Sequence, residues 1–489
     1  MKHIKNFEID KTQDSFSIFN SIKNYIEDFT SQNFLSYYFQ KYEELLDCPE
    51  NVLRLKFKKI IYSNFDHRKG TFFLNCSYLS IVKDYLLFII FIFVIQVFGK
   101  SKSKKKTYEL IIDDIEDINQ IKRFENLYSK FSKILIIYDK SSKFNDLSEI
   151  NSFNFDKINT RLVVPDKNYL KDKFFKNINL VNKIFFLSMR KKINFVTLFK
   201  TIFLSYVKNN SIFLNNISKF LIHDRIYKTC PIRNYLFKKN GGDYSTCTQL
   251  HLAESGLSFY VDTDILFLFG NENYTKKKIE FFGGNIRKTL VSGSHKMESD
   301  FFLNKSKKST LTEIDLLIIG INLNYWIYNS KKVFKSYYTY LNWVKKFSVR
   351  NPKLKIVYKH HSNFIKDDKE KEILKDANIK IVVKPSSGEN SYDFLVNSKM
   401  IVSFGSTMIL EGRSLNKNCF FLDPNSDAST FYKNLDYLES IILNNYDDFE
   451  VTAKKVINNE VLLGKIDSNS ICIKSDKVSE NIYKHFKDL

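Results

Sequence analysis

Strand-like and helix-like patterns alternate along the chain from residue 107 onward. Short apolar runs are followed by polar connections and then by segments in which apolar residues recur every three to four positions. This alternation predicts parallel βαβ units and an open, doubly wound sheet. In the first half it predicts helices at 119–132 and within 168–222, and strands at 108–115, 133–139, 161–166, 219–225, 257–270 and 288–294.

The second half repeats the alternation after a stretch rich in Lys, Ser and Asn at 303–313, where we place a domain boundary. Its predicted helices are 333–350, 366–377, 391–398 and 407–415, and its predicted strands are 315–322, 354–361, 379–385, 399–406 and 418–424. We therefore predict an α/β fold with two Rossmann-like domains, 107–302 and 314–424, followed by a C-terminal helical region, 425–489. Ligands bind beyond the carboxyl ends of parallel strands, so the two domains should face a shared cleft.

Residues 1–106 differ from this pattern and predict a helical preface. The segment FSIFNSIKNYIEDF near the start has the apolar spacing of a helix, whereas 55–65 and 70–76 resemble short strands. The start of the chain has no apolar core of the kind that a secretory signal peptide needs, which favours a cytoplasmic protein.

The run YLLFIIFIFVIQVF at 85–98 is the most apolar segment, and five lysines follow it at positions 100, 102, 104, 105 and 106. A membrane span needs about 20 apolar residues, and this run is shorter. We expect a helix that lies at the inner face of the plasma membrane, with the lysines against anionic headgroups. A buried core helix or strand and a true span are the alternatives.

Composition narrows the choice of partners. The chain has 76 Lys and Arg against 54 Asp and Glu, a formal charge of +22, which attracts nucleic acid, anionic lipid or nucleotide-linked substrates. The sequence contains neither an aromatic RNA-recognition motif nor a Cys/His finger, so nucleic acid is not an expected partner. Its six cysteines form no C-x-x-C pair, which indicates a reducing compartment.

One strand-to-helix turn in the second half has residues suited to an anion. Phe404-Gly405-Ser406-Thr407 follows an apolar strand and leads directly into a helix. Gly405 permits a tight turn, while Ser406 and Thr407 place hydroxyls beside the amides of a helix N-terminus, where a diphosphate is stabilised. Glu411 lies one helical turn further on the same face and would accept hydrogen bonds from sugar hydroxyls. A simple helix cap with a surface glutamate is the alternative reading.

This segment resembles the C-terminal domain of GT-B glycosyltransferases of capsule and surface-polysaccharide synthesis. In that family an S/T-S/T-x-x-x-E turn holds the donor nucleotide, and the matching positions here are Ser406, Thr407 and Glu411. Lys359-His360-His361 ends another strand, and basic residues at that place also resemble the family. The resemblance implies that Lys359 pairs with donor phosphate and that His360 or its neighbour contacts the phosphate or the leaving group.

A polar cluster in the first half is the candidate acceptor site. Asp224 follows a predicted strand, and His251 and Glu254 are spaced to share one helix face, so each is a candidate general base. This stretch also resembles the acceptor side of surface-carbohydrate transferases, in which a Q-x-H segment precedes a strand. A Gly-Ser turn at 292–295 is a further candidate for lining the cleft.

Metal-dependent chemistry has one candidate, the D-x-D sequence of Asp262 and Asp264. Because both aspartates run directly into an apolar strand, we favour a structural role and predict no metal site. The sequence has no P-loop, dinucleotide fingerprint, H-E-x-x-H or G-x-S-x-G motif, which argues against the enzyme classes that use them. We predict no cofactor, and the nucleotide-sugar enters as a substrate.

These features together predict a metal-independent glycosyltransferase. It would move a sugar from a nucleotide-activated donor to a glycan or lipid-linked saccharide in surface polysaccharide synthesis. Three alternatives stay open: a glycerophosphate transferase of teichoic-acid type, a nucleotide-sugar epimerase, and a non-catalytic membrane-associated assembly protein.

Overall fold

The structure is a computed structural model. It describes residues 10, 12–13, 15–66, 71–72, 77–99, 105–115, 118–138, 152–166, 173–249, 259–271, 274–298, 313–321, 330–361, 368–383, 391–426, 440–459 and 472–489. His251 and Glu254 lie outside the described residues, as does most of the predicted boundary segment 303–313.

Three helices open the described chain: α1 (Ser15–Thr30), α2 (Asn33–Leu46) and α3 (Glu50–Ser63). They confirm the predicted helical preface. The strand predicted at 55–65 is wrong, because α3 continues to Ser63. Leu55 and Phe57 alternate as in a strand, but α3 is also buried through Leu53 and Ile60, so packing on several sides overrides the local pattern.

A two-stranded antiparallel ribbon, β1 (Phe65–Asp66) and β2 (Thr71–Phe72), precedes the apolar helix α4 (Tyr78–Phe98). The predicted apolar helix is confirmed, although it begins before residue 85. It begins there because the Oγ atom of Ser77 accepts a hydrogen bond from the Ser80 amide at 3.2 Å, which caps the first turn. Within the described parts of the chain, α4 is the one helix long and apolar enough to cross a membrane.

The first sheet has seven parallel strands in the order β5-β4-β3-β6-β7-β8-β9. The chain first forms β4 and β5 on one side of β3 and then forms β6 to β9 on the other side. The topological switch therefore lies between β3 and β6. The elements are β3 (Lys106–Ile115), α5 (Ile118–Arg123), α6 (Glu125–Tyr128), β4 (Ile134–Tyr138), β5 (Phe155–Asn159), α7 (Phe174–Lys191), α8 (Phe195–Asn215), β6 (Asn216–His223), α9 (Pro231–Lys239), β7 (Tyr244–Thr248), β8 (Asp262–Leu268), α10 (Tyr274–Phe281) and β9 (Asn285–Val291).

The second sheet has six parallel strands in the order β12-β11-β10-β13-β14-β15, with its switch between β10 and β13. Its elements are β10 (Ile314–Ile319), α11 (Lys331–Arg350), β11 (Ile356–Lys359), α12 (Asp368–Leu374), β12 (Lys380–Val382), α13 (Ser391–Val396), β13 (Ser398–Ser403), α14 (Met408–Ser414), β14 (Asn418–Leu422), β15 (Ile442–Leu443), α15 (Tyr446–Ile457) and α16 (Val478–Asp488). Two such sheets confirm the predicted class, an α/β fold with two Rossmann-like domains of GT-B-like kind.

The strand predicted at 161–166 is wrong. The strand is β5, and the chain then turns at 160–162, where the Asn159 side chain accepts a hydrogen bond from the Arg161 amide at 3.0 Å. β5 is an edge strand whose two central side chains, Asp156 and Lys157, are polar and exposed, so it gives little periodic apolar signal.

The end of the chain contributes to both sheets. β15 adds an edge strand to the second sheet, whereas α16 returns to the first and packs there through Val478, Ile482 and Phe486. The Phe486 ring lies 4.3 Å from the Phe220 ring of β6, measured between centroids. The predicted C-terminal helical region therefore contains helices, but one of them is part of the first sheet's core.

Gly293 permits this return. It has a left-handed φ of 98°, and a Cβ atom there would meet Val478 Cγ2 at 3.0 Å. The neighbouring turn is tied to α16 as well, because the Ser479 amide donates to Glu298 Oε1 at 3.0 Å. The end of β9 and the start of α16 are therefore closely packed.

We predict that Gly293→Ala destabilises the protein by about 2–4 kcal/mol, since it adds an overpacking cost to the cost of a left-handed alanine. Gly241→Ala is the matched control: its φ is 102°, but the nearest atom to an added Cβ is Ile217 Cγ2 at 3.9 Å. The control should lose only about 1–2 kcal/mol. Denaturant unfolding measures both variants, and equal losses would show that close packing against α16 contributes nothing.

Candidate functional site

The carboxyl ends of three strands meet at the switch point of the second sheet. Ile319 of β10 is in register with Lys359 of β11 on one side and with Ser403 of β13 on the other. The Gly320 amide donates to the Lys359 carbonyl at 2.8 Å, and the Ser403 hydroxyl donates to the Ile319 carbonyl at 2.8 Å. These bonds hold the segments that follow β11 and β13 on either side of the end of β10.

The turn after β13 holds the predicted donor residues Gly405, Ser406 and Thr407, all half-buried. Ser403 Oγ accepts from the amides of Gly405 and Ser406 at 3.4 and 3.2 Å, and Ser406 Oγ accepts from the Met408 amide at 3.3 Å. The hydroxyls of Ser403 and Ser406 therefore accept hydrogen bonds from backbone amides that we expected to be free for a ligand. These distances are at the long end for hydrogen bonds, so the bonds are weak.

Lys359 is the most unusual group at this edge. Its side chain is 7% exposed, and among the described residues it has no acidic or hydrogen-bonding partner. Burial, and then the positive charge of Lys296, lower the pKa of Lys359. A largely buried lysine side chain without a counter-charge is unfavourable unless a ligand supplies that charge.

Two further basic side chains lie near Lys359. Lys296 belongs to the segment after β9 of the first sheet, and His361 follows β11 of the second. Burial lowers the pKa of His361, and the charges of Lys296 and Lys359 lower it further. Positive charge thus comes from both halves of the protein to one place, which no single stretch of sequence could show.

His360 has a different environment from its neighbours. Its Nδ1 atom lies 3.2 Å from Glu370 Oε1, and Glu370 also accepts from the Tyr337 hydroxyl at 2.8 Å. Glu370 and Tyr337 are both buried. One ring nitrogen of the predicted donor residue His360 is therefore directed toward α12, and His361 is the imidazole that shares its surroundings with both lysines.

Glu411 connects the two halves. Its side chain is buried, and Oε1 accepts a hydrogen bond from the Ser294 hydroxyl at 2.7 Å. Ser294 belongs to the Gly-Ser turn that the sequence marked as a candidate cleft residue. The Glu411 carboxylate thus already accepts a hydroxyl from the opposite half of the protein, and its role toward a sugar stays a prediction.

Asp224 follows β6 at the carboxyl edge of the first sheet, as predicted, and it is fully buried. Its Oδ2 atom lies 3.0 Å from Arg225 Nε, and its carbonyl accepts from the Thr248 hydroxyl at 2.6 Å. The negative charge of Asp224 contributes to raising the pKa of Tyr128, after burial. A base at Asp224 would therefore act from beneath the surface of the first sheet.

Beside Asp224 lies a buried ionic network that we did not predict from the sequence. His223 Nδ1 lies 3.0 Å from Asp113 Oδ2, and its Nε2 is 2.8 Å from Asn234 Oδ1. Arg233 also pairs with Asp113. Burial raises the pKa of Asp113, but the charges of Arg233 and His223 outweigh it and lower that pKa to about 2. The acidic end of the strand at 108–115 is the sequence feature that points to this network.

His295, at the end of the Gly-Ser turn 292–295, is a second group whose environment we did not predict from the sequence. It is buried against the Phe124 ring, with centroids 4.0 Å apart. Neither ring nitrogen has a hydrogen-bond partner among the described residues, and Glu298 Oε2 is 4.0 Å from Nδ1. Burial and then the charge of Arg123 lower the pKa of His295 to about 3. His295 is therefore a neutral imidazole at physiological pH, one residue from Ser294 and Lys296.

The D-x-D aspartates lie away from this edge. They begin β8, so they are at the amino ends of the strands. Asp264 Oδ2 accepts from the Ser245 amide at 2.9 Å, and its other oxygen pairs with Lys238 at 2.8 Å and with Arg287. Asp262 accepts from Asn285 at 2.9 Å. These contacts agree with the structural role that we favoured.

Comparison with known proteins gives structural neighbours but no family assignment. No family model and no curated protein matches the sequence. The chain is similar to the UDP-GlcNAc 2-epimerase from Neisseria meningitidis bound to UDP-GlcNAc, with 11% identity, a TM-score of 0.43, and coverage of 78% of this chain and 100% of that one.

Two further neighbours were determined with UDP or with CDPG. The S. aureus MnaA–UDP co-structure has 12% identity and a TM-score of 0.44, covering 78% of this chain and 96% of that one. The wall teichoic acid polymerase TagF, H444N with CDPG, has 10% identity and a TM-score of 0.38, covering 84% and 96%. At these scores the likenesses assign neither a substrate nor a reaction to this chain.

We predict that His295 makes the protein less stable in mild acid. Its pKa is about 6.5 when unfolded and about 3 when folded, so the unfolded chain binds the extra proton as pH falls. This group alone should remove about 2 kcal/mol of unfolding free energy between pH 7 and pH 5. Denaturant unfolding across this range should show a shallower pH dependence for His295→Gln than for wild type, and an unchanged dependence would contradict the assignment.

Proposed function

We propose that this chain is a glycosyltransferase that holds a nucleotide-activated sugar at the second sheet and transfers the sugar to an acceptor at the first. The observation that supports this most is the Lys359 side chain, which is 7% exposed, has no acidic partner among the described residues and has Lys296 and His361 near it. A donor diphosphate carries the negative charge that these two lysines lack.

The remaining donor contacts follow from the turn after β13. Ser406 and Thr407 would supply hydroxyls, and the weakly held amides of Gly405 and Ser406 would donate to phosphate oxygens in place of Ser403 Oγ. Because α14 has only seven residues, its dipole is a minor contribution beside the lysines. Glu411 would accept sugar or ribose hydroxyls, as it accepts Ser294 now.

The chemistry requires positive charge at the leaving group. The acceptor hydroxyl oxygen forms a bond to the anomeric carbon, and the bond from that carbon to the donor phosphate breaks, leaving the electron pair on the diphosphate. Lys359, Lys296 and His361 would stabilise this developing charge, which is the largest contribution expected at such a site. A base takes the hydroxyl proton, with Asp224, His251 and Glu254 as the candidates.

The acceptor that we propose is a glycan or lipid-linked saccharide of a surface polysaccharide. This rests on the resemblance of the segment around Ser406, Thr407 and Glu411 to transferases of that pathway class. Glycerophosphate transfer and epimerisation would use the same cations toward a nucleotide diphosphate, so the products distinguish the reactions and the donor site does not.

A donor panel tests the reaction class. The full-length protein is screened by thermal shift against UDP-, GDP-, CDP- and dTDP-sugars and CDP-glycerol, and each stabilising donor is incubated with bacterial lipid-linked saccharides. We expect a sugar donor to raise the melting temperature and its sugar to appear on the saccharide. Transfer of glycerophosphate, or a changed free sugar nucleotide without any acceptor, would overturn glycosyl transfer in favour of the corresponding alternative.

Lys359→Met should weaken binding of the nucleotide diphosphate by about 10- to 100-fold, the usual cost of a lost charge-assisted hydrogen bond. Lys355→Met is the matched control, since Lys355 is an exposed lysine just before the same strand. Isothermal titration with the donor identified by the screen measures both. Unchanged affinity in Lys359→Met would refute the proposed donor site.

The same variant should be more stable than wild type in the absence of nucleotide. Methionine fills similar space without the cost of a partly desolvated charge, so we expect a melting temperature about 1–2 °C higher, equivalent to about 1 kcal/mol. Differential scanning calorimetry without ligand measures this change. A lower melting temperature would mean that Lys359 stabilises the fold, and its lack of a partner would then not indicate a ligand.

A further inference from the structure

The outer face of α4 is apolar and exposed. Its exposed large apolar side chains recur at helical spacing, so they form one stripe along the helix. The stripe includes residues that are between 49% and 79% exposed: Leu79, Leu86, Ile90, Phe93 and Val97. Exposed apolar surface of this extent marks an interaction site in a soluble fold.

The opposite face of α4 is fixed to the protein. Phe88 is fully buried, and its ring lies 5.3 Å from the Phe203 ring of α8. Asp84 accepts hydrogen bonds from Lys200 at 2.6 Å and from Asn194 at 2.7 Å, which ties the first turns of α4 to α8. A spanning helix would have to leave these partners, so the structure favours a helix that lies along the protein surface.

Helix α7 extends the exposed face. It runs antiparallel to α4, since Tyr85 donates to Asn182 at 2.7 Å while the Phe93 and Phe174 rings meet at 5.1 Å. Phe175 is 83% exposed and Phe186 is 69% exposed, and both point outward. We call this two-helix surface the α4–α7 face.

Basic side chains surround the α4–α7 face. Lys183 and Arg190 are exposed on α7 at the same helical spacing as Phe175 and Phe186, and Lys83 is exposed on α4. Lys192 reaches the other end of α4, with its Nζ 5.6 Å from the centre of the Tyr78 ring. By sequence α7 has no acidic residue, and the one acid of α4 is Asp84, which points inward to α8.

We propose that the α4–α7 face lies flat in the interface of an anionic lipid bilayer, with its apolar side chains among the acyl chains and its lysines at the headgroups. A helix of 21 residues is about 31 Å long, so α4 would lie in the plane of the membrane over its whole length. A second copy of the chain is disfavoured as the occupant, because it would bring two basic faces together. This proposal goes beyond the donor chemistry and does not depend on it.

The charge of the face specifies the lipid. Basic residues next to an apolar helix face gain about 1 kcal/mol each near an anionic leaflet, and this gain is screened by salt. We therefore expect the face to bind the anionic inner leaflet of a bacterial membrane. A neutral bilayer should interact with the apolar stripe only, without the gain from the basic residues.

Vesicle flotation of the full-length protein tests the proposal. Vesicles of phosphatidylcholine with phosphatidylglycerol are compared with vesicles of phosphatidylcholine alone, at low and high salt. We expect strong binding to the anionic vesicles, at least about tenfold weaker binding to neutral ones, and loss of this difference at high salt. Equal binding to both vesicles at all salt concentrations, or no binding to either, would overturn it.

The triple variant Leu86→Ser, Ile90→Ser, Phe93→Ser should reduce partitioning at least about tenfold, because three large apolar groups leave the bilayer. The matched control replaces three exposed apolar residues elsewhere with serine: Phe281, Val349 and Val451. The control should bind as wild type does. Equal losses in both variants, or none in either, would overturn the assignment of the α4–α7 face.

Two further measurements distinguish the proposed interfacial face from a membrane-spanning helix and from a dimer interface. Extraction of membranes with alkaline carbonate should release the protein, whereas retention would indicate a spanning helix and contradict the proposal. Sedimentation without lipid should give the same monomer mass for wild type and the triple variant. A dimer that the triple variant abolishes would show that the face binds a second copy instead of a bilayer.

Discussion

Parallel pairing on both sides of one central strand in each sheet is the constraint on which the rest of the structure depends. It aligns the carboxyl ends of the strands along one edge, so the polar residues that end them come together. In the second sheet this brings Lys359 and Ser403 to opposite sides of Ile319. In the first it brings Asp113 into register with His223. Both sets of chemically active side chains thus lie at topological switch points, whereas the D-x-D aspartates at the amino ends are held in structural ion pairs.

Electrostatics distinguish the two switch points. In the first sheet the charges compensate one another: Asp113 has Arg233 and His223, and its pKa is lowered to about 2. In the second sheet Lys359 is buried beside other cations and without an acid among the described residues. A neutralised network stabilises a fold, while an uncompensated charge reduces stability unless a ligand is bound. The first arrangement therefore suits a rigid support and the second suits an anion site.

The sequence predicted the second sheet well because its strands are buried runs of Ile, Leu and Val between polar connections. The helix predicted at 333–350 is found at Lys331–Arg350. The prediction from sequence was wrong for α3, where an apolar alternation belongs to a helix that is buried on several sides. It was also wrong for β5, whose position at the edge of the sheet leaves little periodic signal. Ser406 and Glu411 could be proposed as donor residues from the sequence because their motif is local, and their role stays a prediction. Lys296, His295 and Arg233 could not be proposed, because their importance arises from neighbours that only the tertiary structure brings near.

The return of α16 to the first sheet has a mechanical consequence. The chain crosses from the first sheet to the second after Glu298, and it crosses back before Cys472. The two lobes are therefore joined by two covalent connections, which restrict their relative motion more than a single linker would. This restriction keeps Ser294 and Lys296 of one lobe near Glu411 and Lys359 of the other.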